Sequence, residues 1–216
     1  MRTPETIQPD LLADRLKWLG FSLPDAALAG LGTYLAQLMK WNKVMNLVGT
    51  TSWEKTLDTL VIDSFHLAGF LPSLGLAPAP VTYDLGAGAG LPGIPLRLLW
   101  PDGVYTLVET REKRALFMRT VLAAVDAGQT GVFQGRAEDF FLQSGPADLI
   151  LSRAFMPWQD MLAFVATALA PGGRVVFLTL APAPDAIPAP WSLVAQKAYG
   201  AAGTTRHFWC FAKEAP

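Results

Sequence analysis

The chain has 216 residues and a formal net charge of −1, with 51% hydrophobic, 16% charged and 11% aromatic residues. That length suits one sizeable α/β domain with an extension, and the composition excludes a disordered chain. Near-neutral charge argues against a non-specific nucleic-acid coat protein, while the lone Cys210 excludes a disulfide framework and a cysteine-rich metal site.

The first residues, Met1 to Thr6, hold no apolar run ahead of a cleavage site. The longest apolar stretch, Met161 to Ala170, falls short of the ~20 residues a bilayer demands. A cytoplasmic protein without membrane contact is expected. In chain order, Leu11, Leu12, Leu16 and Leu19 recur at helical spacing, and a second helix runs from Pro24 to about Trp41 with Leu28, Leu31, Leu35 and Leu38 on one side. The same apolar faces place Trp18, Trp41 and Trp100 in the core. A third helix begins after Ser52, carries Leu57, Leu60, Val61 and Phe65, and ends at the Leu71-Pro72 step. The proline-rich run Pro72 to Pro80 then marks a boundary, so that residues 1–75 form a helical segment packed on a Rossmann-like domain of residues 76–216.

Beyond the boundary, short β-rich runs alternate with helices, the rhythm of a mostly parallel sheet with helices on both faces. Five strands are expected at Val81–Leu85, Val104–Glu109, Gly131–Gln134, Asp148–Ser152 and Arg174–Leu180. Ser192–Tyr199 and Thr205–Ala212 add an antiparallel hairpin at the sheet edge, making seven strands. Helices are expected at Leu91–Trp100, Glu112–Ala127, Glu138–Leu142 and Trp158–Leu169. Pro171-Gly172-Gly173 reads as the turn into the fifth strand.

The strongest local signal is Asp84-Leu85-Gly86-Ala87-Gly88-Ala89-Gly90-Leu91-Pro92-Gly93, a strand running into a glycine cluster and then a helix. Glycine permits positive φ there and lets a nucleotide-like ligand approach the backbone. Glu109, ending the second strand, is placed to accept hydrogen bonds from the hydroxyls of an adenosine ribose. Gly88 to Gly93 also satisfies the dinucleotide fingerprint, but Gly86-Ala87 then separates that register from the strand. The register from Gly86, behind Asp84, suits a cofactor with a methionine moiety and no pyrophosphate. Ala137-Glu138, after the third strand, can grip an adenine edge. Arg153, closing the fourth, can hold a carboxylate or a phosphate. Asp63-Ser64 reads chiefly as a buried hydrogen-bonding pair at a helix end.

Trp41-Asn42-Lys43-Val44-Met45-Asn46-Leu47, Ile62-Asp63-Ser64, Gly86 to Leu96, Lys113-Arg114, Glu138 and Ser152-Arg153-Ala154-Phe155 occur in the order of one bacterial family. From about residue 30 onward the chain resembles the glucose-inhibited division protein B family, the ribosomal RNA small-subunit methyltransferase G group. The resemblance implies methyl transfer from S-adenosylmethionine to guanine N7 in small-subunit (16S) ribosomal RNA; small-subunit RNA or a 30S-type particle is the expected partner, and a monomer is expected. It puts cofactor contacts on Gly86, Leu91, Ala137, Glu138 and Arg153, to which the residue reading adds Asp84, Gly88, Gly90 and Glu109. Lys113, Arg114, Phe155 and Arg206 are expected to touch RNA, and Trp158 shares with Phe155 the expectation of base contact. No general base and no metal are expected. Two positions depart from the family pattern: Thr59-Leu60 stand where Arg-His is usual, and Thr179-Leu180 where Lys-Gly is usual. Two other readings stay open, a methyltransferase of the same fold acting on another RNA, a protein or a small molecule, and a non-catalytic RNA-binding relative.

Overall fold

A computed structural model describes residues 7–214. Its first helix, α1 (Pro9–Trp18), opens with proline at the first turn beside Asp10 and closes with Arg15 and Lys17, the polarity a helix dipole favours. The second, α2 (Asp25–Met45), runs one turn past the expected Trp41 and stops where Asn46 turns left-handed at φ 49°. The Asn42 side chain explains that ending. It donates to the carbonyl of Thr50 at 2.7 Å and accepts from the amide of Val48 at 2.8 Å, so it ties the following loop to the helix.

Ser52 caps the next helical run by accepting the Lys55 amide, as expected. The run is not one uniform helix. It comprises α3 (Trp53–Thr56), a π-helical turn (Leu57–Val61) and α4 (Ile62–Ala68), and a 3-10 turn (Leu71–Leu74) follows.

Seven strands form one sheet: β1 (Val81–Leu85), β2 (Val104–Glu109), β3 (Gln129–Gln134), β4 (Ala147–Arg153), β5 (Leu169–Thr179), β6 (Trp191–Ala201) and β7 (Thr204–Lys213), in the order β3-β2-β1-β4-β5-β7-β6. The first five strands in that order run parallel, and β7 pairs antiparallel with β5 and β6. Ala202 and Gly203, both at positive φ, make the two-residue turn of the expected hairpin.

Three of the four crossover helices are shorter than the sequence suggests, and α7 is only shifted by one residue. Instead of Leu91–Trp100, α5 spans Gly93–Arg97, since Gly90 at φ 75° and Pro92 hold the preceding residues in a turn. Helix α6 (Glu112–Leu122) stops well before Ala127, and α7 is Ala137–Phe141. Helix α8 (Trp158–Val165) gives way to β5 already at Leu169, because Pro171-Gly172-Gly173 is not a turn before the strand but a register shift inside it. Ala147 pairs with Leu169 and Leu149 with Arg174, which leaves the four residues after Leu169 bulged out with Gly172 at φ 77°.

Alternation along the strands sends side chains to two cores. Leu107, Leu149, Leu151, Val176 and Phe208 pack against Tyr34, Leu57, Phe65 and Phe117 from α1–α6, whereas Ile150, Val175 and Phe211 pack against Phe140, Met161 and Val165 of α7 and α8. The N-terminal helices therefore cover one face of the sheet. Trp18 is the correction: it is 71% exposed, because its heptad spacing from Leu11 puts it on the outer side of α1, away from Leu12 and Leu16. Trp41 and Trp100 are half-buried against the first core.

Arg97 is fully buried without a carboxylate partner. Its guanidinium donates to the carbonyls of Trp100, Pro101, Asp102, Gly103 and Ala127 and to the hydroxyl of Thr130, so it ties together the loops before β2 and β3.

Candidate active site

Strand order reverses between β1 and β4, and in open α/β sheets that break creates a crevice at the carboxyl ends of the strands. The glycine loop leaves β1 there, with Gly86, Gly88 and Gly90 at φ 71°, 60° and 75°. These glycines do different work. A β-carbon on Gly86 would lie 2.7 Å from the Phe155 ring, one on Gly90 2.5 Å from Ile94, and one on Gly93 2.4 Å from Leu107 and 2.7 Å from Asp84. Those three are required by packing. At Gly88 the nearest atoms would be Arg114 Nη1 at 3.6 Å and the Gly86 carbonyl at 3.7 Å, ordinary contacts, so here packing does not demand the missing side chain.

The loop is held from below and from the side. Asp84 is buried, accepts the Tyr105 hydroxyl at 3.0 Å and is hydrogen-bonded by the Gly93 amide. Burial pushes its carboxyl up to about 7, against the opposing pull of those hydrogen bonds and of the charge on Arg153. Tyr34 of α2 donates to the Ala89 carbonyl at 3.0 Å, and Ser64 of α4 donates to the Pro92 carbonyl at 2.9 Å. The N-terminal helices thus fix the loop. At the end of β2, the buried Glu109 accepts the Gly88 amide at 3.0 Å and the Arg111 amide at 2.9 Å, with Arg114 3.8 Å away. The Thr110 hydroxyl also donates to Oε1 at 3.3 Å, so Oε2, which among the described residues takes only the Gly88 amide, keeps a lone pair for a further donor. A glycine that packing does not demand, beside a fixed carboxylate, fits a nucleoside with ribose hydroxyls.

Next to this cradle, a cleft of about 530 Å³ opens at the ends of β4, β5 and β7. One wall carries Met156, Trp158, Phe177 and Trp209; the other is a charge cluster around buried Asp63. Arg206 meets Asp63 at 2.6 Å, Arg153 at 3.5 Å, and the Tyr199 hydroxyl donates to it at 2.9 Å. Two arginines on one carboxylate leave the cleft a net positive charge. Burial, then the neighbouring Asp63, keeps the Tyr199 phenol protonated far above its ordinary range. Ala154 adopts φ 54° after the end of β4, and the Phe155 ring lies against Gly86, between two residues, Ala154 and Met156, that line the cleft.

Of the residues singled out in the sequence, Gly86, Gly88, Gly90, Leu91 and Glu109 gather around the cradle and Asp84 supports it from beneath. Arg153 and Arg206 share Asp63 in the cleft. Lys113 and Arg114 line a separate cleft of about 570 Å³ together with Arg111 and Asn46. Ala137 is buried at the start of α7, while Glu138 is half-exposed and paired with Arg136 at 2.9 Å. That pairing lowers the Glu138 carboxyl. The two departures from the family pattern, Thr59-Leu60 and Thr179-Leu180, line one and the same cleft. Sequence reading missed Tyr34 and Tyr199, which carry no motif, and it undervalued Asp63.

The GidB family profile, described as rRNA small subunit methyltransferase G, matches residues 27–185. The chain belongs to the GidB family. A ribosomal RNA small subunit methyltransferase G from Nitratidesulfovibrio vulgaris is 54% identical over 190 residues, covering 88% of this chain and 87% of that protein. One from Oleidesulfovibrio alaskensis is 45% identical over 209 residues, covering 92% and 91%. Among solved structures, a putative methyltransferase (yhhF) from Escherichia coli superposes with a TM-score of 0.56 at 20% identity, covering 71% of this chain and 86% of that one. TrmN from Thermus thermophilus gives 0.55 at 24% identity, covering 68% and 48%. These likenesses show the methyltransferase fold. No helix of the described residues is long and apolar enough to cross a membrane.

Proposed function

We propose that this protein transfers the methyl group of S-adenosylmethionine to N7 of a guanine in small-subunit ribosomal RNA, working as a cytoplasmic monomer on a 30S-type particle. Membership of the GidB family supports the substrate class. The observation that carries the cofactor assignment is Gly88, which packing does not demand, hydrogen-bonded to the buried Glu109 at the end of the neighbouring strand. Glu109 would hold the ribose, Ala137 and Glu138 the adenine edge, and the Gly86–Leu91 backbone with Arg153 the methionine end. The cofactor supplies an electrophilic methyl carbon; everything else falls to the chain.

Guanine N7 offers an in-plane lone pair and loses no proton on methylation, so the protein has to position two reactants rather than remove a proton. The cleft suits that task. Its one buried carboxylate, Asp63, is engaged by two arginines and a tyrosine, an arrangement that orients cations and leaves no free base. Phe155, against Gly86 and flanked by cleft residues, would contact the incoming base. Arg206, Lys113 and Arg114 would meet RNA phosphates.

Single-turnover methylation of small-subunit particles from pH 6.5 to 8.5, followed by nucleoside mass analysis, tests the reading. The expected product is 7-methylguanosine, formed at a rate flat across that range. A tenfold rise tracking one ionisation, abolished by changing a single side chain, would identify a general base and an amine or hydroxyl acceptor instead.

A further inference from the structure

Trp18 closes α1 with 71% of its surface exposed, and Leu11, two turns earlier on the same side, is 54% exposed. The tryptophan is not merely stranded. The Arg15 guanidinium lies 4.3 Å from its ring centroid and is itself fixed, since Nε donates to Asp58 Oδ1 at 3.0 Å and Nη2 to Oδ2. Cation and ring form the lower two layers of a stack whose upper layer is open. The ring lines a cleft of about 460 Å³ with Asp58, Ile62, His66 and the hairpin turn from Gly200 to Thr205. The turn carries only small side chains. Asp58, the one carboxylate in that lining, is already neutralised by Arg15, while Lys17 follows on α1 and Lys197 acts on His66 from β6.

This second cleft shares its wall with the acceptor cleft. Thr59, Leu60, Asp63, Tyr199 and Arg206 line one; Asp58, Ile62, Gly200 and Thr205, their neighbours on the same helical run and hairpin, line the other. The two clefts are therefore neighbours, and a nucleic-acid strand held at the first has the second beside it. Unpaired RNA bases stack on exposed aromatic rings, and the arginine beneath, itself tied to Asp58, holds this ring in place. We infer that Trp18, backed by Arg15, is a stacking platform for an unpaired base of the RNA substrate next to the nucleotide being methylated. The inference rests on the ribosomal RNA reading above. An apolar partner protein or a second copy is the competing occupant, since Leu11, Leu19 and Ile62 stand near the ring, but the two arginines in the adjoining cleft favour a nucleic acid.

Filter binding of small-subunit ribosomal particles to the full chain is the test, with cofactor affinity and thermal melting measured alongside. Trp18→Ala should weaken particle binding about 5- to 150-fold, the range for losing one stacked base, and Trp18→Phe should restore most of it. Cofactor affinity and melting should match the wild type, since the ring is exposed and its cleft holds no residue of the glycine loop. A benzophenone side chain in place of Trp18 should crosslink to ribosomal RNA. Wild-type particle affinity in Trp18→Ala, or crosslinks only to ribosomal protein or to a second copy, would overturn the platform while leaving the methyltransferase reading intact. Wild-type protein that neither binds nor methylates the particles would overturn that reading and the platform with it.

Discussion

The cradle and the cleft sit side by side at one sheet edge yet are built in opposite ways. The cradle is local: Asp84 to Gly93 are contiguous, and Glu109 lies only one strand away. The cleft is assembled from distant parts of the chain, Asp63 meeting Tyr199 and Arg206 across 136 and 143 residues. One is specified by backbone shape, where a missing β-carbon decides; the other by charge, where one carboxylate organises two cations. The two should therefore fail differently.

The largest effect is expected in the cleft. Asp63→Ala leaves Arg206 and Arg153, 13% and 24% exposed, without their common partner, and should cost about 3–5 kcal/mol in chemical denaturation. A loss below about 1 kcal/mol would mean that the arginines find water and that the cluster organises little. In the cradle the contrast is between two glycines. Gly93→Ala drives a methyl into Leu107 and Asp84 and should destabilise by about 1–3 kcal/mol, whereas Gly88→Val, adding only the strain of its positive φ, should fold and lose the rise in melting temperature that cofactor binding confers. Equal cofactor responses in wild type and Gly88→Val would move the ligand off this loop.

The smallest effect is a pH dependence under the cradle. Because burial raises the Asp84 carboxyl to about 7, its contribution to stability is fully present below the unfolded value near 4 and fades as pH rises through 7. Asp84→Asn should therefore gain on the wild type as pH increases from 5 to 8, seen as a converging or reversing difference in melting temperature. A difference independent of pH would mean that Asp84 is ionised throughout.

Legibility followed the same divide. The strand-loop-helix run, Glu109 and the seven-strand order of elements were readable because their signals are short-range: periodicity, glycine spacing and proline breaks. Helix lengths were overread where a local brake acts, as at Gly90 and Pro92 before α5 and in the bulge at Pro171 to Gly173 that begins β5 early. Asp63 was seen only as a helix-end carboxylate, since nothing in residues 60–66 announces an arginine and a tyrosine arriving from the last hairpin. Trp18 was misplaced because tryptophan in an amphipathic helix is usually buried, and only its spacing from Leu11 rather than Leu12 reveals the outer side.

Arg97 has a consequence for anyone who wishes to rebuild the protein. Surface loops ordinarily tolerate insertions, because few contacts depend on their path. Here the stretches from Trp100 to Gly103 and from Ala127 to Thr130 are fastened to a single buried guanidinium through their own carbonyls and one hydroxyl. Lengthening either would strand a cation in the interior. A tag or fused domain belongs instead in the stretch from Ala181 to Ala189 between β5 and β6, which lies largely at the surface outside any strand or helix.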